Sequence, residues 1–183
     1  MLIFLTTHLF CIFSSINMAW ELKPKQQSWN GQYYRETIIP EVIEPFMKNE
    51  YYEWDDGSGY EKTVGNTSIA LYAHDKAPMQ SALATQALYE EKNIDYLGND
   101  EWSGGSPDLN PTENLGSIVM DRVDKAIFAS RAENKYGYDN FVKITEKILK
   151  EVAEDRSLLR KLMASMPARF QAVKDAKGGH TRY

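Results

Sequence analysis

The sequence predicts one α/β domain closed by a basic helical C-terminal region. Three observations carry this: a strand, helix, strand pattern between Ser68 and Leu97, helix-start signals that converge at Asn110, and amphipathic periodicity from Gly137 to Ala176. A chain of 183 residues matches the length of one domain, and 43% apolar with 26% charged residues excludes wholesale disorder, collagen-like repeats and a polytopic membrane protein. A single cysteine, Cys11, excludes a disulfide scaffold, and no Cys/His cluster offers a structural zinc site.

From the N-terminus, Met1 to Ile16 is apolar or hydroxylated, and no Lys, Arg, Asp or Glu precedes Glu21. The stretch is similar to a signal-peptide core but lacks a basic start and a good cleavage site, and it is short for a membrane span. It reads equally as a buried strand or as translated sequence outside the domain. Between Asn30 and Lys48, residues Tyr34, Ile38, Ile39, Val42, Ile43, Phe46 and Met47 fall near helical spacing, with Pro40 and Pro45 expected to break or restart the helix. The acidic, aromatic run from Glu50 to Lys62, which contains Asp55 and Asp56, reads as a loop.

Ser68 to His74 has strand character and delivers Asp75 at its C-terminal end. Pro78 and the Ala-rich stretch Ser81 to Lys92 open a helix, and Asn93 to Leu97 is a second short strand, which together make a parallel crossover. A Gly-containing loop follows to Asn110. There Asn110 reads as N-cap, Pro111 as first helical residue and Glu113 as the third, for a helix to about Ser130. Gly137 to Asp155 and Ser157 to Ala176 are amphipathic, the latter interrupted at Pro167 and stopped at Gly178 and Gly179.

The formal charge of -5 conceals an asymmetry. Residues 121 to 183 carry 14 Lys or Arg against 9 Asp or Glu, and the first 120 residues carry 7 against 17. A basic C-terminal third is suited to nucleic acid, although interspersed Lys and Glu also describe an ordinary solvated face.

Two carboxylates stand out by position. Asp75 ends a strand, and Glu113 lies in the first turn of a helix after 37 intervening residues. Such groups can converge on one Mg²⁺, which takes hard oxygen ligands, and the helix dipole favours an ionised Glu113. The competing readings are that Glu113 only caps its helix and that Asp75 belongs to turn chemistry before Pro78. His74 and His180 read as surface or turn residues, and Trp102 as a packing anchor.

The string Ser106 to Leu115, SPDLNPTENL, resembles the signature around the third acidic residue of Tc/mariner-like transposases, the branch with an Asp-Asp-Glu triad. Here Trp102 is followed by Ser103 and Gly104 where the family has Trp-Pro, and Gly116 stands where it has Trp. His74 to Pro78 resembles the block around the family's second acidic residue, with Lys76 for Asn and Gln80 near the usual His. Asn30, Gly31, Gln32, Tyr33 and Tyr34 resemble the start of the preceding helix, and Ser165 to Tyr183 the closing segment. The match covers about Ala19 to Tyr183.

The resemblance implies a ribonuclease-H-like mixed sheet flanked by helices and a two-metal phosphoryl-transfer site, with Asp75 as second acid and Glu113 as third. It also implies a departure. The family's first acidic residue lies on the first strand of the sheet, yet no Asp occurs before Asp55. Asp55 and Asp56 follow the helix, in the wrong topological place, and Glu21 lies too close to it. The expectation is therefore an N-terminally truncated DDE endonuclease domain: residues 1–18 an apolar leader of doubtful authenticity, 19–130 a partial catalytic domain missing its first strands, and 131–183 a helical C-terminal region. It is expected to hold Mg²⁺ or Mn²⁺ weakly at a single site and to be inactive alone. Expected partners are DNA backbone, a full-length transposase or a second copy, in the nucleus, and the alternative function is a non-catalytic regulatory DNA- or transposase-binding role. A membrane or secreted location through Met1 to Ile16 is the alternative for localisation.

Overall fold

The computed structural model describes residues 2–5, 9–13, 18–23, 28–52, 72–74, 76–101, 106–177 and 179–183, with side chains undescribed for 2–5, 9–13 and 49–52. Three N-terminal strands, β1 (Leu2–Leu5), β2 (Leu9–Phe13) and β3 (Met18–Leu22), form an antiparallel sheet in the order β1-β2-β3. Leu2 pairs with Phe13 and Leu9 with Leu22 at the ends of the two ladders. This corrects the expectation that the first strands are missing. The apolar stretch takes the strand reading, because consecutive antiparallel segments joined by short connections satisfy each other's backbone groups.

β3 is sandwiched. Met18, Trp20 and Leu22 pack against one apolar cluster while Ala19 packs against another, the period-two alternation of a strand covered on both faces. The second cluster belongs to a continuous helical run, α1 (Gly31–Tyr33), a π-helical segment (Tyr34–Ile43) and α2 (Glu44–Tyr52). Asn30 caps it, its Oδ1 accepting the Tyr33 N–H at 2.8 Å. Of the break or restart expected at Pro40 and Pro45, Pro40 brings no break, and α2 begins at Glu44, beside Pro45. In α register a proline ring meets the carbonyl four residues back, and the wider i to i−5 register, seen where the Glu44 N–H reaches the Ile39 carbonyl, relieves that conflict. The helix also continues to Tyr52, past the expected loop start at Glu50; residues 53–71, with Asp55, Asp56 and most of the expected strand, lie outside the described residues.

The crossover is present. Tyr72 and Tyr96 form a parallel bridge, with the Tyr72 N–H donating to the Asp95 carbonyl at 2.8 Å and the Leu97 N–H to the Tyr72 carbonyl at 2.9 Å. Between them lie α3 (Pro78–Ser81) and α4 (Leu83–Glu91), separated by the extended Ala82. Here too the strand alternates. Tyr72 enters the cluster of the π-helical segment, and Ala73 enters the other.

That other cluster is built by α5 (Pro111–Ala129), α6 (Tyr138–Glu154) and α7 (Arg156–Ala164), with α8 (Met166–Asp175) following. Leu115, Val119, Val123 and Ile127 of α5 meet Ile148, Leu149 and Val152 of α6 and Leu159 and Leu162 of α7. Each fully buried aliphatic side chain contributes roughly 1.5–3 kcal/mol. The Tyr138 hydroxyl donates to the Lys23 carbonyl at 2.8 Å, so α6 is tied to the end of β3. No described helix is long and apolar enough to cross a membrane.

Candidate active site

Glu113 stands in the first turn of α5, its side chain exposed. The turn is set by local chemistry: Pro107–Leu109 makes one 3₁₀ turn, the Asn110 Oδ1 accepts the Thr112 N–H at 3.1 Å, and Pro111 occupies a position where no N–H is needed. Glu113 is therefore not the cap, which is the work of Asn110. Thr112 is fully buried, and its Oγ1 has no hydrogen-bond partner among the described residues.

Asp75 lies outside the described residues; those on either side of it are described. His74 is 3% exposed, so of the two readings, surface or turn residue, the surface one does not hold. It sits against the rings of Tyr72 and Tyr89, at centroid distances of 5.9 and 6.4 Å, and its Nδ1 accepts the Lys76 N–H at 3.1 Å. Lys76 has φ of 61°, the left-handed region, and its Nζ donates to the Asn99 carbonyl. Gln80, fully buried, turns its Oε1 back to the Ala77 N–H at 3.1 Å and so opens α3 without a capping side chain at Ala77. Trp102 is outside the described residues, and His180 is exposed.

The segment 72–74 and α5 share a core. Ala73, two residues before Asp75, and Leu115, two residues after Glu113, belong to one buried cluster. Glu21 is on the other side. Its Oε1 accepts the Tyr33 hydroxyl at 3.3 Å, and burial raises its pKa against the lowering effect of that bond. Tyr33 is itself pushed up to about 12 by burial and by the Glu21 charge. β1, which packs beside α5, reads Leu-Ile-Phe-Leu and carries no carboxylate.

Beneath the Tyr72 side lies a hydroxyl cluster. The Tyr34 hydroxyl is 2.7 Å from that of Tyr72 and 2.8 Å from that of Tyr89, and burial holds Tyr72 and Tyr89 well above the ordinary phenol range.

A residue that the sequence reading did not single out completes the setting. Arg169 of α8 is 3% exposed and reaches three acceptors: its Nε donates to the Ser165 Oγ at 2.8 Å, Nη1 to the Asp108 carbonyl at 3.1 Å and Nη2 to the Asn114 Oδ1 at 2.5 Å. The Tyr183 ring lies 4.6 Å from the guanidinium carbon. Burial lowers the Arg169 pKa. Its only sequence signal was membership of the closing segment.

No family model matches the chain. The Tc1 transposase of Caenorhabditis elegans is 32% identical over 197 aligned positions, covering 95% of this chain and 67% of the relative. The chain belongs to the Tc1/mariner transposase family. The Tcb2 transposase of Caenorhabditis briggsae is 29% identical over 142 positions, 78% of this chain and 45% of its own length, so the chain spans less than half of that Tc1/mariner relative.

Among solved structures, the Mos1 transposase catalytic domain with raltegravir and Mn superposes with a TM-score of 0.68 at 18% identity, covering 95% of this chain and 76% of that one. The Mos1 paired-end complex with the left transposon end gives 0.68 at 17% identity, covering 95% of this chain and 44% of that one, so the chain shares the ribonuclease-H-like fold of these domains.

As for a metal, Glu113 offers an exposed hard-oxygen donor at a helix start, which suits a cation that keeps most of its water. Among the described residues no group of three or more His, Cys, Asp or Glu is placed to hold one.

Proposed function

We propose that this chain is a DDE-type transposase catalytic domain that binds DNA but does not, by itself, cut or transfer it. Asp75 and Glu113 would hold a divalent cation, and a bound cation in such a site activates an attacking oxygen or stabilises a leaving one. The observation that carries the reading is Glu113, exposed in the first turn of α5, a helix that packs on the same buried cluster as Ala73 of the segment before Asp75. The reading of inactivity rests on β1 and β2, whose residues include no carboxylate, and on Glu21, which faces Tyr33. With no carboxylate on β1 or β2, neither of these strands supplies the ligand that would bridge two cations.

The Mos1 catalytic domain has been solved with Mn and Mos1 itself with a transposon end, which supports a metal and DNA as the ligand classes here. The location that goes with this reading is the nucleus, where such DNA lies. A nicking assay on supercoiled plasmid with Mg²⁺ or Mn²⁺ tests it. The expected result is salt-sensitive DNA binding without nicking, which is also what a regulatory role requires. Nicking that Glu113→Gln abolishes would overturn the inactivity.

A further inference from the structure

We infer that Arg169 is a positioning residue for Glu113, acting through Asn114 and the Asp108 carbonyl to set the first turn of α5. The inference rests on the proposed role of Glu113 as a metal ligand.

Successive helical residues stand about 100° apart around the axis, given 3.6 per turn. Holding the Asn114 side chain therefore fixes the rotation of this turn and with it the direction in which the neighbouring Glu113 leaves the helix. The same guanidinium grips the Asp108 carbonyl in the 3₁₀ turn that leads into α5, so both the entry and the first turn are held from one point. A planar fork of N–H donors suits three acceptors on three different segments, which a lysine cannot reproduce. Ser165 fixes the near end of the fork and the Tyr183 ring lies against it.

The energetics favour a role beyond filling space. The acceptors are a hydroxyl, a carbonyl and an amide, and none of the salt bridges among the described residues includes Arg169. A buried guanidinium whose desolvation outweighs the nearby Tyr183 and Asp108 charges is an expensive way to pack a helix, because an apolar side chain of similar volume avoids the desolvation. What the guanidinium supplies that a leucine does not is direction, imposed on backbone and side chain beside Glu113. Partners one step removed from a metal ligand commonly matter to affinity in this way.

The test is Mn²⁺ binding by the full chain, followed by loss of the free-ion electron paramagnetic resonance signal, with thermal melts of every variant. Wild type is expected to bind Mn²⁺ with an affinity that Glu113→Gln reduces. Arg169→Gln is expected to lower that affinity by about 10-fold or more while still melting cooperatively. Asn114→Leu should lower it similarly, and the double variant no further, since both remove one linkage. A cooperatively folded Arg169→Gln with wild-type affinity overturns the inference, as do losses that multiply in the double variant. If Arg169→Gln does not fold, the exposed Asn114 decides alone: unchanged affinity in Asn114→Leu overturns it. If wild-type binding is indifferent to Glu113→Gln, the metal reading falls and takes this inference with it, a failure exposed by the Glu113 variant and distinct from one exposed at Arg169.

Discussion

At the scale of single residues, Lys76 is a point of local conflict beside the candidate site. A left-handed φ of 61° costs an ordinary L-residue roughly 1–2 kcal/mol, and Asn tolerates it better because its short polar side chain bonds locally. Lys76→Asn is expected to raise stability by about 1 kcal/mol in chemical denaturation, the exposed Nζ contact to Asn99 being worth less than the strain; a loss of stability would show that contact to be the stronger term. The tyrosine cluster makes a second prediction. Tyr72 and Tyr89 have folded pKa values above their ordinary 10.0, so the folded state retains their protons where the unfolded state releases them. Their contribution to stability is complete below pH 10 and is lost as pH rises above it towards the folded values. Urea melts between pH 8 and pH 11 should show this decline. Tyr34→Phe, which removes the hydroxyl shared by both, should cost about 1–3 kcal/mol at neutral pH. None of this was legible from composition. His74 was expected to be a surface or turn residue, and its burial against Tyr72 and Tyr89 depends on those rings meeting across the crossover.

At the scale of elements, what could be read in advance was what local chemistry determines. Asn110, Pro111 and the apolar period through Leu115, Val119, Val123 and Ile127 specify α5 at its start and along its buried face, and the expected end at Ser130 falls one residue past Ala129. The amphipathic pattern of α6 places Ile148, Leu149 and Val152 on the core side for the same reason. The π-helical segment was not legible, because a mid-helix proline signals a break in α register and the sequence does not announce the wider register that accommodates it. Strands β1 and β2 were ambiguous because a wholly apolar run hides the period-two alternation that would identify a strand. The candidate site divides along the same line. Glu113 follows from its helix start, whereas Arg169 depends on α8 folding back over a turn 61 residues earlier, a pairing no local pattern encodes. If Asn110 sets the α5 start as the geometry indicates, Asn110→Ala should destabilise the protein by about 1 kcal/mol in denaturant titration. An unchanged midpoint would mean that the core beneath Leu115, rather than the cap, determines where the helix begins.

At the scale of the whole molecule, the charge asymmetry acquires a place. The excess of Lys and Arg after residue 120 falls largely on helices whose apolar faces are occupied by the core, so, the buried Arg169 apart, most of these basic residues are turned outward. On α6, Lys143, Lys147 and Lys150 are all exposed and spaced four and three residues apart, which puts them on one stripe opposite Ile148 and Leu149. Lys147 is 3.8 Å from Glu151, a long and solvent-exposed pair that would cost little to exchange for a phosphate. A stripe of this kind attracts a polyanion without reading its sequence, because each neutralised phosphate releases condensed counterions. Duplex DNA binding by this chain should therefore weaken linearly on a log–log plot against salt. Replacing the three lysines by glutamine should flatten that slope by about 0.9 for each lysine that meets a phosphate, with similar losses for unrelated DNA sequences. A slope that the triple variant leaves unchanged would move the DNA contact away from α6 and onto another basic surface.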